Sequence, residues 1–368
     1  MASRRILFLE PFFGGSHRDF AQGLIEHSSL RIDLHTLPAR FWKWRLRGAA
    51  LHFVHKIKNP EGYDALVTCD MLSLSDLKAL WGAACPPSLV YFHENQLTYP
   101  LAPGESMDLQ YGFTDITTAL AADRVLFNSQ SHYTAFFKDL PGFLRNMPEH
   151  RPNWVIDAIK GKSSILYPGC RFDPETDIGL LRAHETPLII WNHRWEFDKN
   201  PNLFFRTLER VSNEQVQFRL ALLGENYQVM PKEFIAAKDR FGDHLEQYGF
   251  VESRKEYYDW LKRGSIVIST ADQENFGISI VEAIRHGCAP LLPNRLSYPE
   301  LIPEHLHKYF LYRDGDELFH KLMNLITELP NPGNPWPVRL EELAGSMNRF
   351  SWINLINDYD RELESLWM

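Results

Sequence analysis

Short apolar runs alternate with longer segments of helical periodicity along the whole chain, and this alternation constrains the fold more than any other feature. In the first half the runs are ILFLE (6–10), RIDLHTL (31–37), DALVTC (64–69), SLVYFH (88–93), RVLFN (124–128) and SSILYP (163–168). In the second they are PLIIW (187–191), FRLALLG (218–224), LEQYGFV (245–251), SIVIST (265–270) and APLLP (289–293). Segments such as 108–123 and 254–264 supply helices between them. The alternation predicts open α/β sheets. A chain of 368 residues exceeds one ordinary core. Two Rossmann-like, doubly wound domains are expected, residues 1–170 and 187–342, dividing near 169–186. Residues 343–368 read as a C-terminal helix that could cross back to the first domain. Such domains would face each other across a cleft lined by the carboxyl ends of their strands, where ligands sit.

Composition narrows the function classes. A net charge of −8 argues against a protein coated in positive charge, while leaving room for a local basic patch. Cys69, Cys85, Cys170 and Cys288 show no CxxC spacing, so neither a disulfide framework nor a zinc site is expected, and a reducing cytoplasm fits. The apolar run Ile6–Leu9 is too short for a signal peptide, and no run is long enough for a membrane span.

The stretch ENFGISIVEAIRHG (274–287) reads as a loop carrying Glu274, followed by a helix carrying Glu282 on its second turn. Asn275 and Gly277 suit a loop that hugs a ligand, and helix-start amides near Ile278 attract anions. Such an element can grip the hydroxyls and phosphates of a sugar nucleotide, although two glutamates at this spacing also occur by chance in helices. Upstream, WNHRWEFDKN (191–200) places Arg194 and Lys199 just past a strand end. Two cations there could offset charge growing on a diphosphate, the alternative being a solvated pair. In FGGSHRDF (13–20), Gly14 and Gly15 would let backbone amides approach a phosphate or sugar, with Ser16 as a helix cap; the alternative is a tight turn. His93 ends a strand of the first half beside Glu94 and could hydrogen-bond a sugar hydroxyl or act as an acid or base.

Residues 40–58 hold Arg40, Lys43, Arg45, Arg47, Lys56 and Lys58 without an acidic residue, interleaved with Phe41, Trp42, Trp44 and Phe53. Cations beside aromatic rings are what recognition of an RNA loop requires. The alternative is an amphipathic helix whose aromatics enter the core.

The second half, through Arg194, Lys199, LLGE (222–225), GFVESRKEYYDWL (249–261) and the Glu274–Glu282 element, resembles retaining glycosyltransferases of the GT-B fold, the large family-four type. The resemblance implies a nucleotide-sugar donor, with Arg194 and Lys199 on its diphosphate, Glu274 on the sugar and Glu282 on the ribose. It further implies backbone amides from Phe276, Gly277 and Ile278, the base near Phe250 and Val251, and contact of His93 with the donor sugar. One departure stands out. Where the family has a glycine before the arginine and an aliphatic residue after it, this chain has His193 and Trp195.

In the first half, EPFFGGSHRDF, TLPARFWKWRLRGAA, YFHENQLTYP, DLQYGF and MPEHRP are similar in order and wording to the tRNA-queuosine α-mannosyltransferases. That likeness implies GDP-mannose as co-substrate and, as acceptor, the cyclopentene diol of queuosine at the wobble position of tRNA-Asp. Arg40, Lys43, Trp44, Arg45, Arg47, His17, Glu94 and Asn95 are then the expected tRNA-binding residues. No metal or other cofactor is expected. A different modified nucleoside, a glycan or lipid acceptor, an epimerase on the same fold, or a non-catalytic tRNA-binding relative are the competing readings.

Overall fold

In the computed structural model, which describes residues 4–101, 104, 106–173, 186–225, 230–329 and 339–367, the apolar runs become the strands of two parallel sheets. Residues 174–185, most of the expected division, lie outside the described residues. The chain forms two units, one comprising Met1–Cys170 with Phe350–Met368, the other Arg171–Arg349.

The first unit holds β1 (Arg5–Phe13), β2 (Arg31–Pro38), β3 (Ala65–Cys69), β4 (Ser88–Phe92), β5 (Arg124–Phe127) and β6 (Ser163–Ile165), in spatial order β2-β1-β3-β4-β5-β6. Its helices are α1 (Gly15–His27), α2 (Trp42–Lys56), α3 (Leu74–Trp81), α4 (Leu109–Ala121), α5 (Gln130–Arg145) and α6 (Trp154–Lys160). Side chains alternate between two cores. Leu7, Leu9, Leu66, Val90 and Phe92 enter one, with residues of α2 to α6; Ile6, Phe8, Val67, Leu89 and Tyr91 enter the other. Helices on both faces explain why the inner strands read as continuous apolar runs. Edge strand β2 is only half-buried and carries Arg31 and Asp33, charges that discourage pairing with another chain.

The second unit holds β7 (Leu188–Trp191), β8 (Arg219–Leu222), β9 (Leu245–Tyr248), β10 (Ile266–Ile268), β11 (Ala289–Pro293) and β12 (Leu311–Tyr312), in order β12-β11-β10-β7-β8-β9. Strand β12 is absent from the sequence-based expectation, because two residues carry no readable period. The helices are α7 (Pro201–Asn213), α8 (Lys232–Phe241), α9 (Arg254–Arg263), α10 (Ile278–Arg285), α11 (Tyr298–Leu301), α12 (His307–Phe310), α13 (Gly315–Glu328) and α14 (Leu340–Ser346).

The last helix, α15 (Trp352–Glu364), belongs to the first unit and completes its second core with Trp352, Leu355, Ile356, Tyr359 and Leu363. Trp352 lies where two glycines make room. A Cβ on Gly23 of α1 would come within 1.9 Å of the indole, and one on Gly169 within 2.2 Å. Asp360 secures the same contact, accepting hydrogen bonds from the Ser28 hydroxyl (2.5 Å) and the Ser29 amide (2.9 Å).

In each sheet the direction of winding reverses once, between β1 and β3 in the first unit and between β7 and β10 in the second. Crevices at the carboxyl ends of such strand pairs are where open α/β sheets bind ligands.

Candidate functional site

In the second unit, the loops that follow β7 and β10 are clasped together. The Thr270 hydroxyl lies 2.9 Å from the carbonyls of both Lys199 and Asn200. The Asp198 carbonyl accepts the amides of Asp272 and Gln273. Asn200, in the left-handed region at φ +50°, ends the first loop and caps α7 through its side chain. Lys199 is thereby buried, 6% exposed, with its Nζ donating to the Gln273 carbonyl at 2.6 Å. The same nitrogen lies 3.1 Å from Asp198 Oδ2 and 3.5 Å from Glu274 Oε2. Burial pulls the Lys199 pKa down, but Glu274 and Asp198 more than offset this, so the side chain is an ammonium. Arg194 is half-exposed, 3.3 Å from Glu196.

Beyond Glu274, Asn275 accepts from the Gln273 side chain, and Phe276 is buried with its carbonyl held by Ser297 Oγ at 2.8 Å. Gly277, at φ +97°, turns the chain into α10. A side chain there would be strained in backbone terms, although its Cβ would meet Leu301, Tyr298 and Glu274 only at ordinary contact distances of 3.5–3.6 Å. The Gly277 carbonyl accepts from Ile280 and Val281, so the amides of Gly277, Ile278 and Ser279 precede the first intrahelical donor. The first turn itself carries no acidic residue, and its partial positive charge suits an anion. Glu282 follows on the second turn, buried, its Oε2 3.2 Å from the Tyr257 hydroxyl. Gly249, at φ +113°, leaves Phe250 exposed while Val251 is buried.

His193 and Trp195 are accommodated by Gly224 of the LLGE segment, where a Cβ would fall 1.8 Å from the His193 carbonyl and 2.5 Å from the Trp195 ring. Trp195 then stacks on Phe234 at 4.3 Å, so the bulky residue after the arginine packs into the unit. The His193 imidazole is buried, and its pKa falls to about 3, through burial first and then the charge of Lys199.

In the first unit, the carboxyl ends of β1, β3 and β4 carry a buried polar cluster. Glu10 is fully buried and accepts the Phe12 amide at 2.8 Å. His17 Nδ1 lies 3.3 Å from its other oxygen. Burial alone would depress the His17 pKa, but Glu10 outweighs it and lifts it to about 9. The His17 ring packs on His93, centroids 4.0 Å apart. Burial, followed by the charge of His17, holds His93 well below the usual histidine range, so the pair combines an imidazolium with a neutral imidazole. The His93 amide donates to Asp70 Oδ1 at 2.7 Å, and Asn128 Nδ2 donates to its carbonyl at 2.8 Å.

Among the described residues, Glu10, His17 and Cys69 bring potential metal-ligand atoms within 4.8 Å of one another. Within the set, Cys69 donates to Glu10 Oε1 at 3.4 Å, and burial pushes its thiol pKa up.

Gly14 and Gly15 form the tight start of α1. Helix α1 begins at Gly15 behind Gly14, without a side-chain cap, so the expected capping by Ser16 does not occur. A Cβ on Gly14 would meet that of Ala39 at 2.5 Å. Asn95 is buried and builds the turn it sits in, its Oδ1 accepting the amides of Leu97 and Thr98 at 3.0 Å each. Glu94 Oε1 accepts from the Gln96 side chain at 3.3 Å.

The basic segment divides along helix α2. Leu46, Ala49, Ala50 and Phe53 point into the core, which removes Phe53 from the aromatics open to a partner. Trp44 and Phe41 are 77% and 69% exposed. Phe41 adopts φ +56°, a left-handed conformation that is costly for a bulky residue and is often kept for function. Arg45 donates to the Pro38 carbonyl, Arg47 to Thr114 Oγ1, and Lys43 lies over Trp42 and Tyr111. Arg40 packs against Phe41.

Sequence reading missed Asp198, Asn192 and Tyr257. Asp198 adjoins the Lys199 it pairs with, and Asn192 and Tyr257 reach their partners only through the fold, so nothing in the local pattern marks them.

Comparison with known proteins adds to this geometry. Residues 5–170 match the model of the tRNA-queuosine alpha-mannosyltransferase N-terminal domain, and residues 174–336 match that of glycosyl transferases group 1. A tRNA-queuosine alpha-mannosyltransferase of Drosophila melanogaster is 40% identical over 340 residues, covering 88% of this chain and 87% of that protein. Among solved structures, a sucrose-phosphate synthase from Thermosynechococcus elongatus superposes with a TM-score of 0.75 at 15% identity, covering 99% of both chains. The apo form of the lipopolysaccharide outer core galactosyltransferase WaaB superposes with a TM-score of 0.64 at 12% identity, covering 98% of this chain and 99% of that one. The two parallel six-stranded sheets are thus those of the GT-B fold.

Proposed function

We propose that this chain, which belongs to the tRNA-queuosine alpha-mannosyltransferase family, transfers mannose from GDP-mannose, with retention, to the cyclopentene diol of queuosine at the wobble position of tRNA-Asp. The observation that carries the donor half of this reading is the meeting of Lys199 and Glu274 beside the start of α10, at the point where the second sheet reverses its winding. An ammonium and helix-start amides suit a leaving diphosphate, and a neighbouring carboxylate suits sugar hydroxyls.

The bond between the anomeric carbon and the diphosphate breaks, its electron pair leaving with GDP. Lys199, Arg194 and the amides of Phe276, Gly277 and Ile278 stabilise that charge. A queuosine hydroxyl attacks the same face of the oxocarbenium-like sugar, and its proton passes to the departing phosphate oxygen. Glu274 and Asn275 hold the mannose, Glu282 the ribose, and Phe250 and Val251 flank the base. In the first unit, neutral His93 hydrogen-bonds a sugar hydroxyl, and Gly14 and Gly15 allow close backbone approach to the donor. His17, Glu94 and Asn95 shape the acceptor's entry, while Arg40, Lys43, Trp44, Arg45 and Arg47 engage the tRNA.

No helix among the described residues is long and apolar enough to cross a membrane. The four cysteines are free thiols, which supports a cytoplasmic setting. The cationic donor grip removes the need for a metal, so turnover should survive exhaustive chelation; a loss restored by a divalent cation would overturn that part of the reading.

The test of the reaction uses purified protein, radiolabelled GDP-mannose and tRNA-Asp with and without queuosine. Label should enter only the queuosine-containing tRNA. Equal labelling of both would defeat the acceptor assignment, and donor hydrolysis or epimerisation without tRNA would favour the rival enzyme readings.

A further inference from the structure

Glu282 is 7% exposed, yet its side chain has three rotatable bonds, so something must fix the direction in which its carboxylate points. Arg254 of α9 lies 4.0 Å from Oε1, and the hydrogen bonds that orient Oε2 come from the same helix and from the end of β7. The Tyr257 hydroxyl, on α9, donates to Glu282 Oε2 at 3.2 Å. Asn192, the first residue past β7, donates from Nδ2 to the Tyr257 oxygen at 3.0 Å and to the Ser279 carbonyl at 2.8 Å. We propose that Tyr257 and Asn192 are positioning residues for the donor nucleoside, a relay that orients Glu282 toward the ribose diol and ties it to the first turn of α10. The proposal rests on the reading of Glu282 as the ribose ligand.

The direction of the relay follows from its donors. Asn192 spends both Nδ2 hydrogens, one on Tyr257 and one on Ser279. Turning its amide over would press Oδ1 against the Ser279 carbonyl, two acceptors face to face. With a hydrogen bond arriving on its oxygen, the phenol directs its one hydrogen to Glu282. Burial, and then the charge of Glu282, push the Tyr257 pKa well above the usual range, so the phenol keeps that hydrogen. The neighbouring Tyr258 has another task, donating to the Arg171 carbonyl at 2.8 Å and stacking on His286. One amide therefore links the carboxylate assigned to the ribose with the helix start assigned to the diphosphate.

The experiment titrates GDP and 2′,3′-dideoxy-GDP, which lacks both ribose hydroxyls, into the wild-type protein and the variants Tyr257→Phe, Asn192→Leu and Glu282→Gln. Loss of an oriented hydrogen bond to a charged group corresponds to about a tenfold effect. GDP affinity should therefore fall about tenfold in Tyr257→Phe and Asn192→Leu, while affinity for the dideoxy nucleotide stays unchanged, and kcat at saturating donor should move less than KM. A general structural loss would weaken both nucleotides together, which would overturn the proposal. Tyr257→Phe retaining wild-type preference for GDP, while Glu282→Gln loses it, would overturn the relay and leave the ribose reading standing. Glu282→Gln retaining that preference would overturn the ribose reading itself. If Tyr257→Phe unfolds, Asn192→Leu reads the same relay from its other end.

Discussion

Lys199 and Glu274, 75 residues apart in the chain, hold an ammonium and a carboxylate 3.5 Å apart where the loops after β7 and β10 are clasped together. Asp198 stands 3.1 Å from the same nitrogen, so one buried cation answers to two carboxylates. Removing the cation leaves both without it. Lys199→Met is expected to destabilise the unit by about 3 kcal/mol, the usual consequence of breaking a buried pair from one side. Glu274→Gln keeps the shape and should fold normally, with kcat reduced on the order of 100-fold. Denaturant midpoints and single-turnover rates check the two together; normal turnover in Glu274→Gln would dismiss its sugar contact.

Trp44 offers an exposed ring, whereas Arg45 and Arg47 already have partners within the first unit. Trp44→Ala should therefore leave the melting temperature unchanged. Affinity for queuosine-containing tRNA should fall by about tenfold, in keeping with about 1–3 kcal/mol for stacking on one base. Arg40→Ala and Lys43→Ala should each lower the salt dependence of binding by about one phosphate contact. An unchanged affinity in all three would make α2 a solvated helix.

Gly23 and Gly169 flank the Trp352 indole so closely that neither tolerates a methyl group. Gly23→Ala should cost about 1–3 kcal/mol through overpacking, and Trp352→Ala about 3–5 kcal/mol through the cavity left behind. In the double variant the truncated residue accommodates the added methyl, so the two costs should be strongly sub-additive by chemical denaturation. Simple additivity would mean that the contact is not the source of the cost.

His17 has a folded pKa of about 9 against an ordinary value of 6.5. Its raised pKa therefore contributes stability that is fully present below pH 6.5 and is lost as pH rises through about 9. Glu10→Gln removes the charge responsible. The destabilisation caused by Glu10→Gln should be largest near pH 6 and shrink by pH 9.5, measured by urea unfolding across that window. A pH-independent difference would show that His17 is not held as an imidazolium.

Strand positions were legible because parallel strands covered on both faces must be apolar throughout, and a run such as ALVTC (65–69) has no other comfortable place. The loop and helix from Glu274 to Gly287 were legible because glycine, carboxylate and helix signals fall within fourteen consecutive residues. The basic segment was only half legible. Composition located it, but the division of its aromatics, Phe53 inward and Trp44 outward, depends on which face of α2 meets the sheet.

What the sequence by itself determined is therefore local: the strand runs, the turn at Gly277 and the residue types with chemistry to offer. What only the tertiary structure decided is who meets whom. The order of the strands, the return of α15 onto Gly23, the packing of His17 on His93 and the path from Asn192 through Tyr257 to Glu282 join residues far apart in the chain. Hydrogen bonds and packing depend on distance in space, and the distances that matter at these sites exist only once each sheet has brought its strand ends together.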